Sequence, residues 1–255
     1  RYVLEALQTY YPNEELTIYA PKKVENKRLN PILEKGNVKL CTPRTNVWKK
    51  LRSIWRIWGI MSDLEKDDIE LFHGLSNELP LNIHKQNHIK SIVTIHDLIF
   101  RRLPQCYKPI DRLIYDYKFR KACQHADKII AVSECTKQDI VKDYHISPDK
   151  IEVIYQGCDP VFAIPVTQDK KKEVSKRYQL PTNYLLFVGS IEERKNALLA
   201  IQALEHLPEN LHLVLVGKKT PYVDLLTQKM NEQTSQRVHF LHGVPFADLP
   251  CIYQM

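Results

Sequence analysis

At 255 residues, with 44% hydrophobic and 26% charged side chains, the chain has the composition of a folded globular protein with material for two domains, which excludes disordered and fibrous classes. No apolar run approaches the roughly 20 residues that cross a bilayer. The net charge of +7 favours anionic partners without choosing among nucleic acid, an anionic membrane surface and a phosphorylated small molecule.

In chain order, segment 1–7 has the pattern of the middle of an amphipathic helix rather than of a signal peptide, so a preceding stretch is expected. Strands are expected at 16–20, 69–73, 91–96, 128–132 and 151–155, and helices at 47–60, 110–125 and 135–144. Most of these strands are apolar on both faces, as strands of a helix-covered parallel sheet are. The polar stretch 167–183, with lysines at 170 to 172 and Pro181 near its end, is expected to be a linker between a first domain at 1–166 and a second at 184–255. The second repeats the rhythm with strands at 184–189, 211–217 and 237–241 and helices at 196–206, 221–231 and 246–254. Alternating strands and helices define an α/β protein. A doubly wound domain has about six strands, so the second domain is expected to be incomplete. The six cysteines, Cys41, Cys106, Cys123, Cys135, Cys158 and Cys251, form no Cys-x-x-Cys pair and are expected as reduced thiols of a cytoplasmic protein.

Three strand ends in the second half carry the same chemistry. Gly189 closes one strand and is followed by Ser190, Arg194 and Lys195 before a helix; Gly217 and Lys218 close the next; Leu241, His242 and Gly243 close the third. Ligands of open α/β sheets bind outside the carboxyl ends of the strands. A helix start presents unpaired amides there, and nearby cations make it a diphosphate site.

With Leu71-Phe72-His73-Gly74, Thr94-Ile95-His96-Asp97, Ala131-Val132-Ser133-Glu134, Gln156-Gly157-Cys158-Asp159, the Gly189 to Asn196 segment and Gly217-Lys218, the chain resembles the GT-B glycosyltransferases. That group includes bacterial mannosyl- and glucosyltransferases of polysaccharide and lipid synthesis. The resemblance implies two Rossmann-like domains facing across a cleft. It also implies retaining transfer of a hexose from a nucleotide diphosphate sugar to a saccharide or lipid-linked acceptor in surface polysaccharide synthesis, without a metal cofactor. It assigns Lys195 to the donor diphosphate with Arg194 as a second cation, and His96 to the donor sugar and acceptor. Gly189, Ser190, Gly217 and Lys218 fall in donor-binding loops, Leu241, His242 and Gly243 in the turn whose backbone reads the base, and His73, Asp97 and Ser133 on the acceptor side. Fixed cations suit this chemistry, because negative charge builds on the departing diphosphate.

Two departures stand out. Ser190 occupies a position where many relatives carry arginine, leaving Arg194 to do that work. The family's paired-glutamate motif and its glycine-containing loop after the first strand do not occur, so a whole protein of roughly 370 residues is expected.

Plainer readings stand beside these. Lys195 is also a solvated lysine at a helix start, His73 and His96 are also satisfied buried histidines, and Ser133 is also a helix cap. His84 and His88 have the spacing of zinc ligands on one helical face but lie in a loop-like stretch after Pro80. Trp48, Leu51, Trp55 and Trp58 form one helical stripe beside Lys49, Lys50, Arg52 and Arg56, which suits either core packing or peripheral contact with the inner face of a membrane. A nucleic-acid-binding role is disfavoured because the cations are not interleaved with aromatic residues. A non-catalytic nucleotide-sugar-binding protein is the alternative function.

Overall fold

Every strand pair is parallel among the residues that the computed structural model describes, 1–23 and 29–255. The chain divides into two units, Arg1–Tyr155 and Gln156–Met255.

The first unit opens with α1 (Tyr2–Tyr10), β1 (Leu16–Tyr19), α2 (Asn30–Leu33) and β2 (Val38–Cys41). The expected first strand is β1, but among the described residues it pairs with β2 alone, a strand not foreseen, in a separate two-stranded sheet. The helix expected at 47–60 is broken into α3 (Asn46–Lys50), α4 (Arg52–Ile54) and a π turn (Trp55–Gly59), before α5 (Met61–Lys66). Leu51 leaves the helical region at φ −97°, ψ 48°. The π turn carries the indole of Trp55 into the core, where it is fully buried and its Nε1–H donates to Asp63 Oδ2 at 2.7 Å. A buried indole N–H needs such a partner.

The main sheet of this unit is β3 (Leu71–Gly74), β4 (Lys90–Ile95), β5 (Lys128–Ala131) and β6 (Ile151–Val153), adjacent in that order. It is connected through α6 (Ile99–Arg102), α7 (Pro109–His125) and α8 (Glu134–Tyr144). Val93 and Ile95 of β4 and Ile129 and Ala131 of β5 are fully buried in one core with Trp55, Leu64 and Ile140.

The second unit contains α9 (Gln168–Tyr178), β7 (Tyr184–Val188), α10 (Ala197–Leu204), β8 (His212–Val216), α11 (Pro221–Lys229), α12 (Glu232–Arg237), β9 (Val238–Leu241) and α13 (Leu249–Tyr253). Its strands lie in the order β7-β8-β9, with β8 in the middle. Successive residues of a strand point to opposite faces, so β8 feeds two cores. Leu213 and Leu215 join Ile201, Leu204 and Leu226 on one side. Val214 and Val216 join Val174, Cys251 and Ile252 on the other.

The presence of Val174 in that second core corrects the expected linker. Residues 168–178 form α9, opened by Thr167, whose hydroxyl accepts the N–H of Lys170 at 3.4 Å. The polar composition is that of an outer helical face, while Val174 is fully buried and Tyr178 packs beside it. Arg177 pairs with the buried Asp248 at 2.7 Å and Lys171 donates to the Gln254 carbonyl at 2.8 Å. The division of the chain therefore falls after Tyr155, ahead of the expected 167–183.

Candidate functional site

In the second unit the three strand ends are laced together. Gly189 N–H donates to the Val216 carbonyl at 2.9 Å, and Gly217 N–H donates to the Leu241 carbonyl at 3.0 Å. His242 Nδ1–H then donates back to the Gly217 carbonyl at 2.8 Å. Thr220, which precedes α11, donates its hydroxyl to the Ile191 carbonyl, joining the loops after β7 and β8. Gly189 has φ 152° and Gly243 φ 69°, conformations in which side chains are strained. These bonds hold Gly189, Gly217, Leu241 and His242 in one row at the carboxyl edge of the sheet.

Between β7 and α10 the chain makes a short turn over Glu193–Lys195, with Asn196 in the left-handed region at φ 52°. Lys195 is exposed at the start of α10, and among the described residues no acidic side chain pairs with its ammonium. Arg194 differs: its Nε–H donates to Glu192 Oε2 at 2.9 Å, so an anion there competes with a carboxylate already in place. Ser190 is half-buried and its carbonyl accepts the N–H of Glu192 at 3.0 Å. Lys218 is exposed beyond β8.

In the first unit, His73, His96 and Ser133 lie at or just beyond the carboxyl ends of β3, β4 and β5. His96 is half-buried and its Nε2–H donates to the Leu75 carbonyl at 3.0 Å. His73 shares a 2.9 Å hydrogen bond with the Thr94 hydroxyl, and burial pushes its pKa below the ordinary histidine value. Ser133 caps α8, accepting the N–H of Thr136 at 3.1 Å. Asp97 is exposed and accepts the N–H of Ile99 at 3.1 Å, fixing the turn into α6. The cap and turn roles of Ser133 and Asp97 account for their geometry without a ligand.

Three residues at these edges escaped the sequence reading: Asn77, Thr136 and Thr220. Thr136 donates to the His96 carbonyl at 3.2 Å, and Asn77 accepts the His96 N–H at 2.7 Å. Asn in a turn after a strand is the signal that could have marked Asn77.

The zinc reading of His84 and His88 finds no helix. Residues 83–85 form a single 3-10 turn, and the His84 ring lies against His125 with centroids 4.0 Å apart. Among the described residues no group of three or more metal-ligating side chains converges. The tryptophan stripe is divided: Trp55 is in the core and Trp48 packs against it, while Trp58 is half exposed. Trp58 lines a surface groove with Ile57, Leu81, Leu113, Ile114 and Tyr117. No helix among the described residues is long and apolar enough to cross a membrane.

Comparison with known proteins gives this architecture a family. The chain belongs to Glycosyltransferase Family 4, whose model it matches over residues 9–162, and residues 168–255 match Glycosyl transferases group 1. The second match begins at α9, in accord with the placement of that helix in the second unit. O-antigen chain mannosyltransferase B of Escherichia coli is 28% identical over 190 residues, 72% of this chain and 48% of that protein. O-antigen chain mannosyltransferase RfbU of Salmonella typhimurium is 26% identical over 162 residues, 63% of this chain and 42% of that protein. The chain thus spans about half the length of these curated relatives. Among solved structures, HepE of Anabaena in complex with UDP and glucose aligns with 98% of this chain and 66% of its own, at TM-score 0.62 and 15% identity. A glycosyltransferase of Rickettsia africae aligns with 98% of this chain and 65% of its own, at TM-score 0.64 and 17% identity. These likenesses establish the fold as that of the GT-B glycosyltransferases.

Proposed function

We propose that this chain supplies the donor- and acceptor-binding residues of a retaining hexosyltransferase of surface polysaccharide synthesis. In this reading a nucleotide diphosphate sugar binds at the row formed by Gly189, Gly217 and Leu241 to Gly243, with its diphosphate against Lys195. The observation that carries it is the exposed Lys195 at the start of α10, in the loop that follows Gly189, which among the described residues pairs with no acidic side chain, in a unit whose arginines 177 and 194 are ion-paired. The ammonium stabilises charge where it develops on the leaving diphosphate, which lowers the barrier because it needs no reorganisation. Lys218 adds a second positive charge, and Arg194 contributes when an anion displaces Glu192. His96 contacts the transferred sugar and the acceptor. The cations carry the charge of the leaving group without a metal. The names of the relatives, both O-antigen chain mannosyltransferases, favour mannose as the hexose and an O-antigen saccharide as the acceptor.

The groove around Trp58 docks the protein at the inner face of a membrane bearing that acceptor. Its support is the exposed apolar set Leu51, Ile54, Trp58, Ile110 and Leu113, with Lys49, Lys50 and Arg52 exposed on the same stretch of chain as Trp58.

Transfer of labelled hexose from a panel of nucleotide sugars to lipid-linked saccharide by the product of the complete reading frame, with the product's anomeric configuration read by NMR, tests the reading. Labelled product with the donor's configuration is expected. Tight donor binding without transfer would instead favour a nucleotide-sugar-binding protein.

A further inference from the structure

The turn after β3 reaches across to the end of β4 and holds His96 by both its backbone and its ring. Asn77 Oδ1 accepts the His96 N–H at 2.7 Å, and the Asn77 N–H donates to the Thr94 carbonyl at 2.9 Å. The Leu75 carbonyl, from the same turn, accepts His96 Nε2–H at 3.0 Å. From the other side Thr136 Oγ1 donates to the His96 carbonyl at 3.2 Å, and Thr136 is itself held by the Ser133 cap.

A carbonyl oxygen only accepts, so the ring nitrogen facing Leu75 carries a hydrogen, and in the neutral ring Nδ1 is the lone-pair nitrogen. Asn77 stands at φ 60°, in the left-handed region that Asn tolerates better than most side chains. The position therefore makes two demands at once: a backbone that turns left-handed, and a short side-chain acceptor that reaches the next strand. Asparagine meets both.

We propose that Asn77 is a positioning residue for His96, fixing the orientation and the tautomer of its ring through the 75–77 turn. This rests on the assignment of His96 to the transfer site. Without the Asn77 acceptor the turn loosens from β4, the Leu75 carbonyl no longer stays opposite Nε2, and the ring samples both tautomers. Misplacement of a reacting group by about 1 Å costs up to roughly 100-fold in rate.

Asn77→Gly keeps the left-handed turn and deletes the acceptor, Asn77→Ser shortens the side chain out of reach, and Asn77→Asp keeps both acceptor and turn. The ring tautomer is read by two-bond proton–nitrogen NMR correlation, with His96→Asn to assign the signal. The Nε2–H form is expected in the unaltered protein and a mixture in Asn77→Gly and Asn77→Ser. Turnover in those variants should fall about 10-fold with little change in donor KM, and Asn77→Asp should restore both readouts. An unchanged tautomer in Asn77→Gly and Asn77→Ser, or an Asn77→Asp protein as impaired as they are, would overturn the proposal. The spectroscopic readout stands apart from turnover: a protein that transfers no sugar, yet changes tautomer in Asn77→Gly, would refute the transferase reading and leave the coupling of Asn77 to His96 intact.

Discussion

A β-carbon on Gly217 would stand 1.9 Å from the carbonyl oxygen of Gly189, so the ends of β7 and β8 meet at a distance that only glycine allows. The obstacle is backbone, which cannot swing aside as a side chain does. Gly217→Ala should therefore destabilise the second unit by about 1–3 kcal/mol, the range for overpacking, and weaken nucleotide binding as the strand ends part. Gly243→Ala meets open space, and its φ of 69° makes the expected cost about 1–2 kcal/mol. Denaturant melts of both variants, with nucleotide titration, check this; a Gly217→Ala protein of normal stability and affinity would show that the two loops move apart freely.

Lys195→Ala should lower turnover by roughly 100-fold or more, the scale of losing one preorganised charge-stabilising donor. Lys172→Ala, which removes an exposed lysine of α9, should leave it unchanged. Arg194→Ala should be milder than Lys195→Ala, because the Glu192 pair already occupies that guanidinium. Turnover should persist in EDTA if the cations alone carry the charge. Steady-state kinetics of the complete protein decide, and near-normal rates for Lys195→Ala would move the diphosphate elsewhere.

His73, His125 and His239 each have a pKa held below the ordinary 6.5, chiefly by burial. For His239 the neighbouring His212, 3.0 Å away between Nδ1 and Nε2, lowers it further. The folded rings stay neutral while the unfolded chain takes up protons, so their contribution to stability is present above about pH 6.5 and is lost as pH falls toward the folded values. Urea midpoints should be lower at about pH 5.5 than at about pH 7.5. His212→Asn should flatten that slope. A midpoint that rises on acidification contradicts the sign.

Co-sedimentation with anionic vesicles should weaken on the order of 100-fold when Lys49, Lys50 and Arg52 become Gln together, at about 1 kcal/mol for each cation near the surface. Arg56 is paired with Glu78 at 2.8 Å and should matter less. Trp58→Ala should also weaken binding while leaving the fold intact. Trp55→Ala should instead destabilise the fold by roughly 3–5 kcal/mol, because it empties a core site and strips Asp63 of its indole partner. Binding that ignores both Trp58 and the three cations would remove the membrane role.

The strand ends were legible because β-branched runs stop at glycines or histidines that the fold uses at the sheet edge. Gly189, Gly217 and Leu241 fall in a row because parallel pairing in consecutive order brings equivalent loops side by side. Four other features were hidden for physical reasons. The polar residues of α9 outnumber Val174 and Tyr178, so its buried face carries too little sequence signal. Strand β2 is four residues long, and only its pairing with β1 defines it. The break at Leu51 and the π turn after it arise from the burial of Trp55, a tertiary demand that overrides helical periodicity. Asn77 accepts the N–H of a residue 19 positions away; an asparagine after a strand can mark the turn, but not the neighbouring strand end that its side chain reaches.

The seating of α9 decides where the polypeptide can be divided for separate expression. Gln254 accepts the Val166 N–H at 2.9 Å and donates to the Ile164 carbonyl at 2.8 Å, so the last residues of the second unit clasp the strand of chain that leads into the helix. A fragment beginning at Tyr184 would strip Val214, Val216, Cys251 and Ile252 of the cover that Val174 and Tyr178 give them and Asp248 of its partners Arg177 and Tyr178, and it should aggregate. One beginning at Gln156 keeps that clasp and both cores, and is the fragment on which isolated nucleotide affinity can be measured.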